Sequence, residues 1–161
     1  MILLSLDPSS TCTGYAVFDG RRIVESGCIR VKQRCGAELR IANICNDVAD
    51  LVADHAPLHI IVETPPRTPR AARRSSITLP IYGWAVGAVW ATCRECSEHA
   101  VGIHCIPGDE WIGRQSKAQR LQRVRLLYKS LVLTEKDHDA VDAIALGVWW
   151  LDRSIPDAAG A

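Results

Sequence analysis

The sequence lacks an excess of charge of either sign. It contains 19 Lys and Arg residues against 18 Asp and Glu residues, for a formal net charge of +1. This balance excludes a uniformly basic nucleic-acid coat, although clustered charges can still form a local basic surface. Hydrophobic residues make up 48% of the chain and charged residues 23%, which indicates a globular and not a disordered protein. A length of 161 residues predicts one domain of ordinary size.

Long apolar runs and targeting segments are also missing. The most apolar window, residues 79–93, contains two glycines and is too short to span a bilayer, so we expect no membrane segment. The N-terminus lacks the basic region of a signal peptide and soon reaches an acid at Asp7. The seven cysteines are an odd number, and reduced thiols in the cytoplasm are the simplest account of them.

A complete zinc-binding pattern is absent as well. Cys93 and Cys96 form one Cys-x-x-Cys pair, with His99, His104 and Cys105 nearby, but the sequence has no second pair. A predicted transition from helix to strand separates Cys96 from Cys105. A structural zinc site is therefore not expected in this segment.

The pattern of apolar residues predicts nine elements in the order β-β-β-α-β-α-β-α-α. An antiparallel meander followed by right-handed crossovers gives an α/β fold: a mixed five-stranded sheet, with the first strand central and helices flanking it. We expect a single domain over residues 1–154 and a frayed tail over residues 155–161. The predicted strands are 3–6, 13–18, 22–31, 58–62 and 101–106. The predicted helices are 37–55, 77–98, about 116–131, and one that begins near residue 137 or 139 and covers 140–151, while residues 107–108 open a loop.

Four carboxylates occupy places that this topology can bring together. Asp7 ends the first strand and Glu63 ends the fourth, and the carboxyl ends of parallel strands are where ligands bind in such sheets. Asp139 and Asp142 are three residues apart and share one face of the last helix. Clustered carboxylates that are short of water need a cation, and oxygen ligands select Mg²⁺ or Mn²⁺. Two such ions, about 3.5–4 Å apart, can promote a phosphodiester displacement. The simpler interpretation makes Asp7 a turn residue and Asp139 a helix cap.

Three segments resemble the acidic motifs of RuvC-type Holliday junction resolvases. They are residues 6–17 (LDPSSTCTGYAV), residues 61–63 (IVE) and residues 139–145 (DAVDAIA). Serine after the proline is more similar to phage-encoded members, which act in the host cytoplasm. The resemblance implies an RNase H-like fold, a homodimer, and symmetric nicking of four-way DNA junctions with Mg²⁺ or Mn²⁺. By position, the metal-binding acids would be Asp7, Glu63, Asp139 and Asp142, and Lys117 falls where the family has a catalytically important lysine.

Some roles near these motifs stay open. His138 is either a water activator or ligand, or a residue of the capping turn. Asp137 could replace Asp139 in metal coordination. Lys117 either stabilises charge that develops on the phosphate or simply contacts a phosphate group.

Basic residues are concentrated in two stretches that contain no acid, residues 64–80 and 112–129. Both stretches flank the proposed site, so we predict DNA contacts there in preference to a merely solvated basic face. Trp111 lies between them and either stacks at a junction or belongs to the core. The predicted DNA-binding residues are Arg67, Arg70, Arg73, Arg74, Arg114, Lys117, Arg120 and Arg123.

The sequence thus predicts a metal-dependent endonuclease that resolves Holliday junctions and other branched DNA as a dimer. One alternative is an RNase H-like nuclease that acts on flaps, forks or RNA–DNA hybrids. Another is a non-catalytic junction-binding protein, which the full set of acids disfavours. An actin-like phosphotransferase normally requires two domains of this type and is disfavoured by the chain length.

Overall fold

The structure is a computed structural model that describes residues 1–32, 34–67, 78–98, 100 and 102–154. Its sheet contains β1 (Ile2–Asp7), β2 (Cys12–Asp19), β3 (Arg22–Arg30), β4 (His59–Thr64) and β5 (Gly102–Pro107). The strand order is β3-β2-β1-β4-β5. The pairs β1–β2 and β2–β3 are antiparallel, whereas β1–β4 and β4–β5 are parallel. The predicted mixed five-stranded sheet with a central first strand is therefore confirmed. The predicted tail, residues 155–161, lies outside the described residues and stays a prediction.

Five α-helices accompany the sheet in the described part of the chain: α1 (Ala37–His55), α2 (Thr78–Cys96), α3 (Gly108–Trp111), α4 (Lys117–Leu127) and α5 (His138–Ser154). A short 3-10 helix (Glu135–Asp137) precedes α5. None of the described helices combines the length and the apolar character needed to cross a membrane.

Two predicted boundaries near α3 and α4 are wrong. Residues 107–108 do not open a loop, because Gly108 begins the one-turn helix α3. The helix predicted to reach residue 131 ends at Leu127, since Tyr128 leaves the helical conformation with φ −124° and ψ 70°. The Tyr128 hydroxyl instead donates a hydrogen bond to the carbonyl oxygen of Arg21 at 3.0 Å. This contact ties the chain after α4 to the turn between β2 and β3.

Side chains alternate between the two faces of β1, and this alternation determines where the site lies. Leu4 and Leu6 pack on one face in a core cluster with residues of α1 and α2. Leu3 packs on the opposite face in a cluster with residues of α5. Because successive strand residues point to opposite faces, Ser5 and Asp7 also point toward α5. The fold therefore has three layers, with Asp7 between the sheet and α5.

Helix α5 lies directly on the sheet. The Ser5 hydroxyl donates a hydrogen bond to the carbonyl oxygen of Ala143 at 2.6 Å. Gly147 allows this close approach, since a Cβ atom there would lie 2.3 Å from Cε2 of Phe18. The helix is thus fixed against β1 and β2 near the middle of its length.

Candidate active site

Asp7 and Glu63 lie side by side at the carboxyl ends of β1 and β4. These parallel strands pair Leu6 with Val62, so the next residue of each strand is an acid at the same edge of the sheet. Ile61 packs on the α5 face, and the alternation of strand side chains places Glu63 on that face too. Glu63 is itself buried. The two predicted strand-end acids therefore converge as the sequence indicated.

Asp139 and Asp142 face this pair from the first turns of α5. Gly14 of β2 pairs with Asp7 across the antiparallel ladder. A Cβ atom on Gly14 would lie only 1.9 Å from the carbonyl oxygen of Asp139, so the start of α5 can reach the sheet only because this residue is glycine. Gly14 was not identified in the sequence as a site residue, although a glycine inside a strand is a known signal of close backbone approach.

The electrostatics of Asp7 show that the other predicted site residues lie close enough to act on it. Burial raises the pKa of Asp7 well above its ordinary value, and the charges of Glu63, Asp142 and Asp139 raise it further. Lys117 acts in the opposite direction and lowers the pKa of Asp7. The other three acids and the lysine are thus within electrostatic reach of Asp7. A cation among these carboxylates would relieve their mutual repulsion.

Arg120 is buried in this site and does not lie on the surface. It is 5% exposed and Asp142 is 7% exposed. Its Nε and Nη2 atoms donate hydrogen bonds to the two carboxylate oxygens of Asp142 at 2.7 and 2.9 Å. Its Nη1 atom donates to the carbonyl oxygen of Gln115 at 3.0 Å. The prediction that Arg120 contacts DNA is therefore wrong for this structure, because its guanidinium group is enclosed and paired with Asp142.

The guanidinium group of Arg120 orients the Asp142 carboxylate and still leaves it able to bind a metal ion. Each carboxylate oxygen has two lone pairs, and the ion pair uses one on each oxygen. The ring of Trp111 lies beside the guanidinium group, with 5.6 Å between the Arg120 Cζ atom and the ring centroid. Trp111 is 6% exposed and belongs to the core. The alternative that Trp111 stacks at a DNA junction is accordingly excluded in this conformation.

The turn before α5 separates the roles of its two aspartates. Asp137 accepts hydrogen bonds from the backbone N–H and the hydroxyl of Thr134, both at 2.8 Å. These bonds, the backbone one foremost, lower the pKa of Asp137. Asp137 is thus a capping residue of the short 3-10 helix, whereas Asp139 acts on Asp7. The side chain of His138 is partly buried at the first position of α5.

Lys117 occupies the first turn of α4 and is exposed. The Ser116 side chain accepts a hydrogen bond from the backbone N–H of Gln119 at 3.3 Å, and the Gln119 side chain accepts one from the backbone N–H of Ser116 at 2.8 Å. This reciprocal capping box fixes where the helix begins. Lys117 is therefore held at the rim of the acidic site.

The other predicted DNA-binding residues occupy different parts of the surface where the structure describes them. Arg67 follows β4 and pairs with Glu110 at 3.0 Å while it remains largely exposed. Arg114 is exposed in the segment before α4. Arg123 is exposed on α4 and lies 3.6 Å from Asp152. Asp152 also pairs with Arg21 of the β2–β3 turn, at the end of the sheet opposite to Asp7. The three remaining arginines lie outside the described residues: Arg70, Arg73 and Arg74.

Cys93 and its neighbours do not form a metal site among the described residues. Cys93 is buried, whereas Cys96 and Cys105 are exposed. Within the described ranges, one group of three potential ligands comes within mutual reach, and it consists of Cys12, Cys28 and Asp139. His99 lies outside the described residues, so the expectation of no structural zinc at Cys93 and Cys96 stays a prediction.

A mixed sheet with carboxylates at the ends of its central strands and on the helix across them defines a metal-dependent nuclease of the RNase H-like type. No protein-family model matches the chain. Crossover junction endodeoxyribonuclease RuvC of Halorhodospira halophila is 31% identical over 152 residues, which cover 89% of this chain and 85% of that protein. RuvC of Solidesulfovibrio magneticus is 27% identical over 162 aligned positions, which cover 94% of this chain and 90% of the relative.

The chain belongs to the RuvC family of crossover junction endodeoxyribonucleases. The solved structure of T. thermophilus RuvC in complex with Holliday junction substrate has the same fold, with a TM-score of 0.73 at 19% identity. That match covers 92% of this chain and 91% of the other. The resemblance carried by the three acidic motifs and the predicted RNase H-like fold are both confirmed.

Proposed function

We propose that this protein is a crossover junction endodeoxyribonuclease that nicks four-way DNA junctions in the cytoplasm, using Asp7, Glu63, Asp139 and Asp142 to hold its metal ions. The observation that carries this proposal is the convergence of those four acids at one end of the sheet, where burial raises the pKa of Asp7 and the charges of the other three acids raise it further. The family membership of the chain supports the same reaction and substrate.

The four carboxylates are suited to Mg²⁺ or Mn²⁺, and we propose that each active site holds two such ions. All four side chains offer carboxylate oxygens, which hard divalent ions prefer, and their repulsion favours a bound cation. When bound, such ions polarise a phosphodiester and make water more acidic. Asp7 contributes from the centre of the set, between Glu63 on the neighbouring strand and the two acids of α5. Arg120 keeps the Asp142 carboxylate in a fixed orientation.

Lys117 is proposed to stabilise negative charge that develops on the scissile phosphate. Its exposure and its effect on Asp7 support this role, because a phosphate near Asp7 would also be near the lysine. A role in binding alone is the alternative. Lys117→Met separates the two in single-turnover assays at saturating protein, because a catalytic role predicts a slower cleavage rate there and a binding role predicts the parental rate.

The first experiment is cleavage of a synthetic four-way junction in Mg²⁺, with EDTA as the metal-free condition. Flaps, forks, duplex DNA and RNA–DNA hybrids are tested in parallel as alternative substrates. We expect the junction to be cleaved faster than any of them, with symmetric nicks. Asp7→Asn should abolish cleavage and leave junction binding intact, because the amide keeps the shape and loses the charge that the metals need. Substantial nicking by this variant would contradict the role of Asp7, and a preference for another substrate would favour the alternative nuclease.

Contacts to the DNA backbone are proposed for the exposed basic residues that flank the site. Exposure and place in the chain, after Glu63 or at the start of α4, support this for Arg67, Arg114 and Lys117. For Arg123, which shares Asp152 with Arg21, the proposal rests on exposure alone. The same role is proposed for the arginines after β4 that lie outside the described residues: Arg70, Arg73 and Arg74.

A triple variant tests the contribution of the arginines after β4 to binding. Replacing Arg70, Arg73 and Arg74 with glutamine should weaken binding and lower the log–log salt slope by about 0.9 for each phosphate that the variant no longer neutralises. A matched control replaces Arg21 and Arg22, which lie in or beside the β2–β3 turn at the opposite end of the sheet, and it should leave the slope unchanged. Equal slopes for the parent and the triple variant would mean that this segment does not contact DNA.

A homodimer is proposed because two copies are needed to cut a junction symmetrically. The outer face of α2 supports it, since Trp84 is 51% exposed there and Trp90 is 42% exposed. Exposed tryptophans of this kind are typical of protein interfaces.

Sedimentation velocity measures this association directly. The parent should sediment as a dimer, and Trp84→Lys should weaken the dimer by about tenfold or more. Leu126→Lys is the control, because it replaces an exposed apolar residue on α4. A parent that is monomeric at micromolar concentration, or a Trp84→Lys variant that dimerises normally, would contradict the proposed interface.

A further inference from the structure

Two cysteines and an aspartate form a cluster beside the acidic site. Cys12 begins β2, Cys28 lies in β3, and Asp139 lies in the first turn of α5. One ligand atom from each residue, the two Sγ atoms and a carboxylate oxygen, lie within 4.8 Å of one another. All three residues are partly exposed, so an ion and a water molecule can reach them from solvent.

The strand register explains why these residues meet. β2 and β3 pair Cys12 with Arg30 and Gly14 with Cys28, so the two cysteines are diagonal neighbours on one face of the sheet. That face is the one that α5 covers, because Ala16 and Phe18 of β2 pack in the same core cluster as residues of α5. The close approach that Gly14 allows then brings Asp139 to the cysteines.

The chemistry of this cluster differs from that of the four carboxylates. Thiolates select thiophilic ions such as Zn²⁺, whereas Mg²⁺ prefers oxygen ligands. Zn²⁺ binds sulfur at about 2.3 Å and carboxylate oxygen at about 2.0–2.2 Å in a tetrahedron, which places two sulfurs and one oxygen about 3.5–3.8 Å apart. The ligand atoms lie within 4.8 Å of one another, so the pair that is furthest apart must close by up to about 1 Å to reach this range. Three protein ligands leave the fourth position for water.

We propose that Cys12, Cys28 and Asp139 form a binding site for one thiophilic divalent ion, Zn²⁺ by its chemistry, and that zinc bound there inhibits the nuclease. Binding releases the thiol protons to solvent. The inhibition follows because Asp139 belongs to both ligand sets and cannot serve both fully at once. This second part rests on the proposed function, whereas the zinc site itself does not.

Cobalt is the spectroscopic probe that tests the site without reference to cleavage. Titration of the reduced, metal-free full-length protein with Co²⁺ should give the near-ultraviolet charge-transfer band of a thiolate complex and the visible bands of a tetrahedral one, at one ion per chain. Zn²⁺ should displace the cobalt. Cys12→Ser and Cys28→Ser should each lose the band and weaken Zn²⁺ binding by more than about tenfold.

Matched variants separate this site from the other cysteines and from the carboxylates. Cys105→Ser removes an exposed cysteine of β5 and should keep the full cobalt spectrum. Asp139→Asn should keep thiolate absorption but bind the ion more weakly. Circular dichroism checks that each variant is folded, and Cys28→Ala offers a second form of that substitution. A parent without thiolate absorption, or a spectrum unchanged in both serine variants, would overturn the site.

The inhibitory effect is tested by adding Zn²⁺ to junction cleavage in excess Mg²⁺, with each protein compared with its own rate in Mg²⁺ alone. The parent should lose activity as Zn²⁺ occupies the site, and Cys28→Ser should need more than about tenfold more Zn²⁺ for the same fractional loss. Equal zinc sensitivity would refute the inhibition and leave the cobalt result standing. If no protein cleaves a junction in any condition, the proposed function fails, and the cobalt spectra still decide the site.

Discussion

Replacing Arg120 with leucine removes the cation that contacts Asp142 and leaves a buried carboxylate in the field of Asp7. In the structure the pair makes two charge-assisted hydrogen bonds, at 2.7 and 2.9 Å, and both residues are almost fully buried. Removal of one partner of such a pair costs about 3–5 kcal/mol of the free energy of unfolding. For a chain of this size each kcal/mol lowers the melting temperature by about 2–4 °C, so we expect a decrease of about 6–20 °C in EDTA.

Added Mg²⁺ should restore part of that stability. A ligand that binds only the folded state contributes about 2.7 kcal/mol at a concentration 100 times its dissociation constant. In Arg120→Leu the charge of Asp142 is uncompensated, so a cation relieves more repulsion there than in the parent. The increase in melting temperature on going from EDTA to Mg²⁺ should therefore be larger in the variant. Thermal unfolding followed by circular dichroism measures both quantities.

Two further variants separate charge from packing. Arg123→Leu changes an exposed arginine of the same helix, whose contact with Asp152 is 3.6 Å long, and should cost less than about 1 kcal/mol. The double variant Arg120→Leu/Asp142→Asn removes the uncompensated charge and should be more stable than Arg120→Leu alone. If Arg120→Leu is no less stable than Arg123→Leu, or if the second substitution recovers nothing, the ion pair does not have the energetic role assigned to it.

Two other predictions concern the residues that place the acids. Asp139→Asn should reduce junction cleavage by about 100-fold or more. Asp137→Asn should cleave almost normally, because its amide oxygen can still accept the Thr134 hydrogen bonds, and the lost charge at the helix start should cost about 0.3–1 kcal/mol. The reverse ranking in a single-turnover assay would show that the wrong aspartate of this turn was assigned to the metal. Gly14→Ala should lower the free energy of unfolding by about 1–3 kcal/mol through overpacking, because the new Cβ atom would collide with the Asp139 carbonyl oxygen. The displacement of Asp139 should also reduce cleavage by about 100-fold. A variant with the parental cleavage rate and melting temperature would refute the close approach.

The fold was predictable because its strands and its first helix are strongly patterned. α1 covers the predicted residues 37–55, since apolar residues recur at helical spacing and Pro57 follows. The convergence of Asp7 and Glu63 followed from topology alone, because both end parallel strands. The short helix α3 and the end of α4 were missed, since a one-turn helix has almost no periodicity to detect and the end of α4 depends on the contact of Tyr128 with Arg21.

The role of Arg120 shows why the clustering of basic residues in the sequence was not enough to predict which of them contact DNA. An arginine in a basic run was predicted to contact DNA, as were its neighbours. Arg120 nevertheless lies four residues before Val124, on the buried side of α4, and that spacing was a signal of an inward position. Its partner, Asp142, is 22 residues further along the chain, and no local pattern predicts such a pair. Long-range pairing of charges requires the tertiary structure.

The direct contact of α5 with the sheet determines how easily the four carboxylates can move apart. Backbone of the helix touches the strands where Gly14 and Gly147 lack side chains, and the Ser5 hydroxyl bonds to the helix between these points. Helix and central strands then separate only when the core itself opens, so the backbone amides after Asp142 should exchange with deuterium at the rate of global unfolding. The four carboxylates are consequently held in place without a ligand, and binding of the proposed metal ions would carry little cost of local ordering.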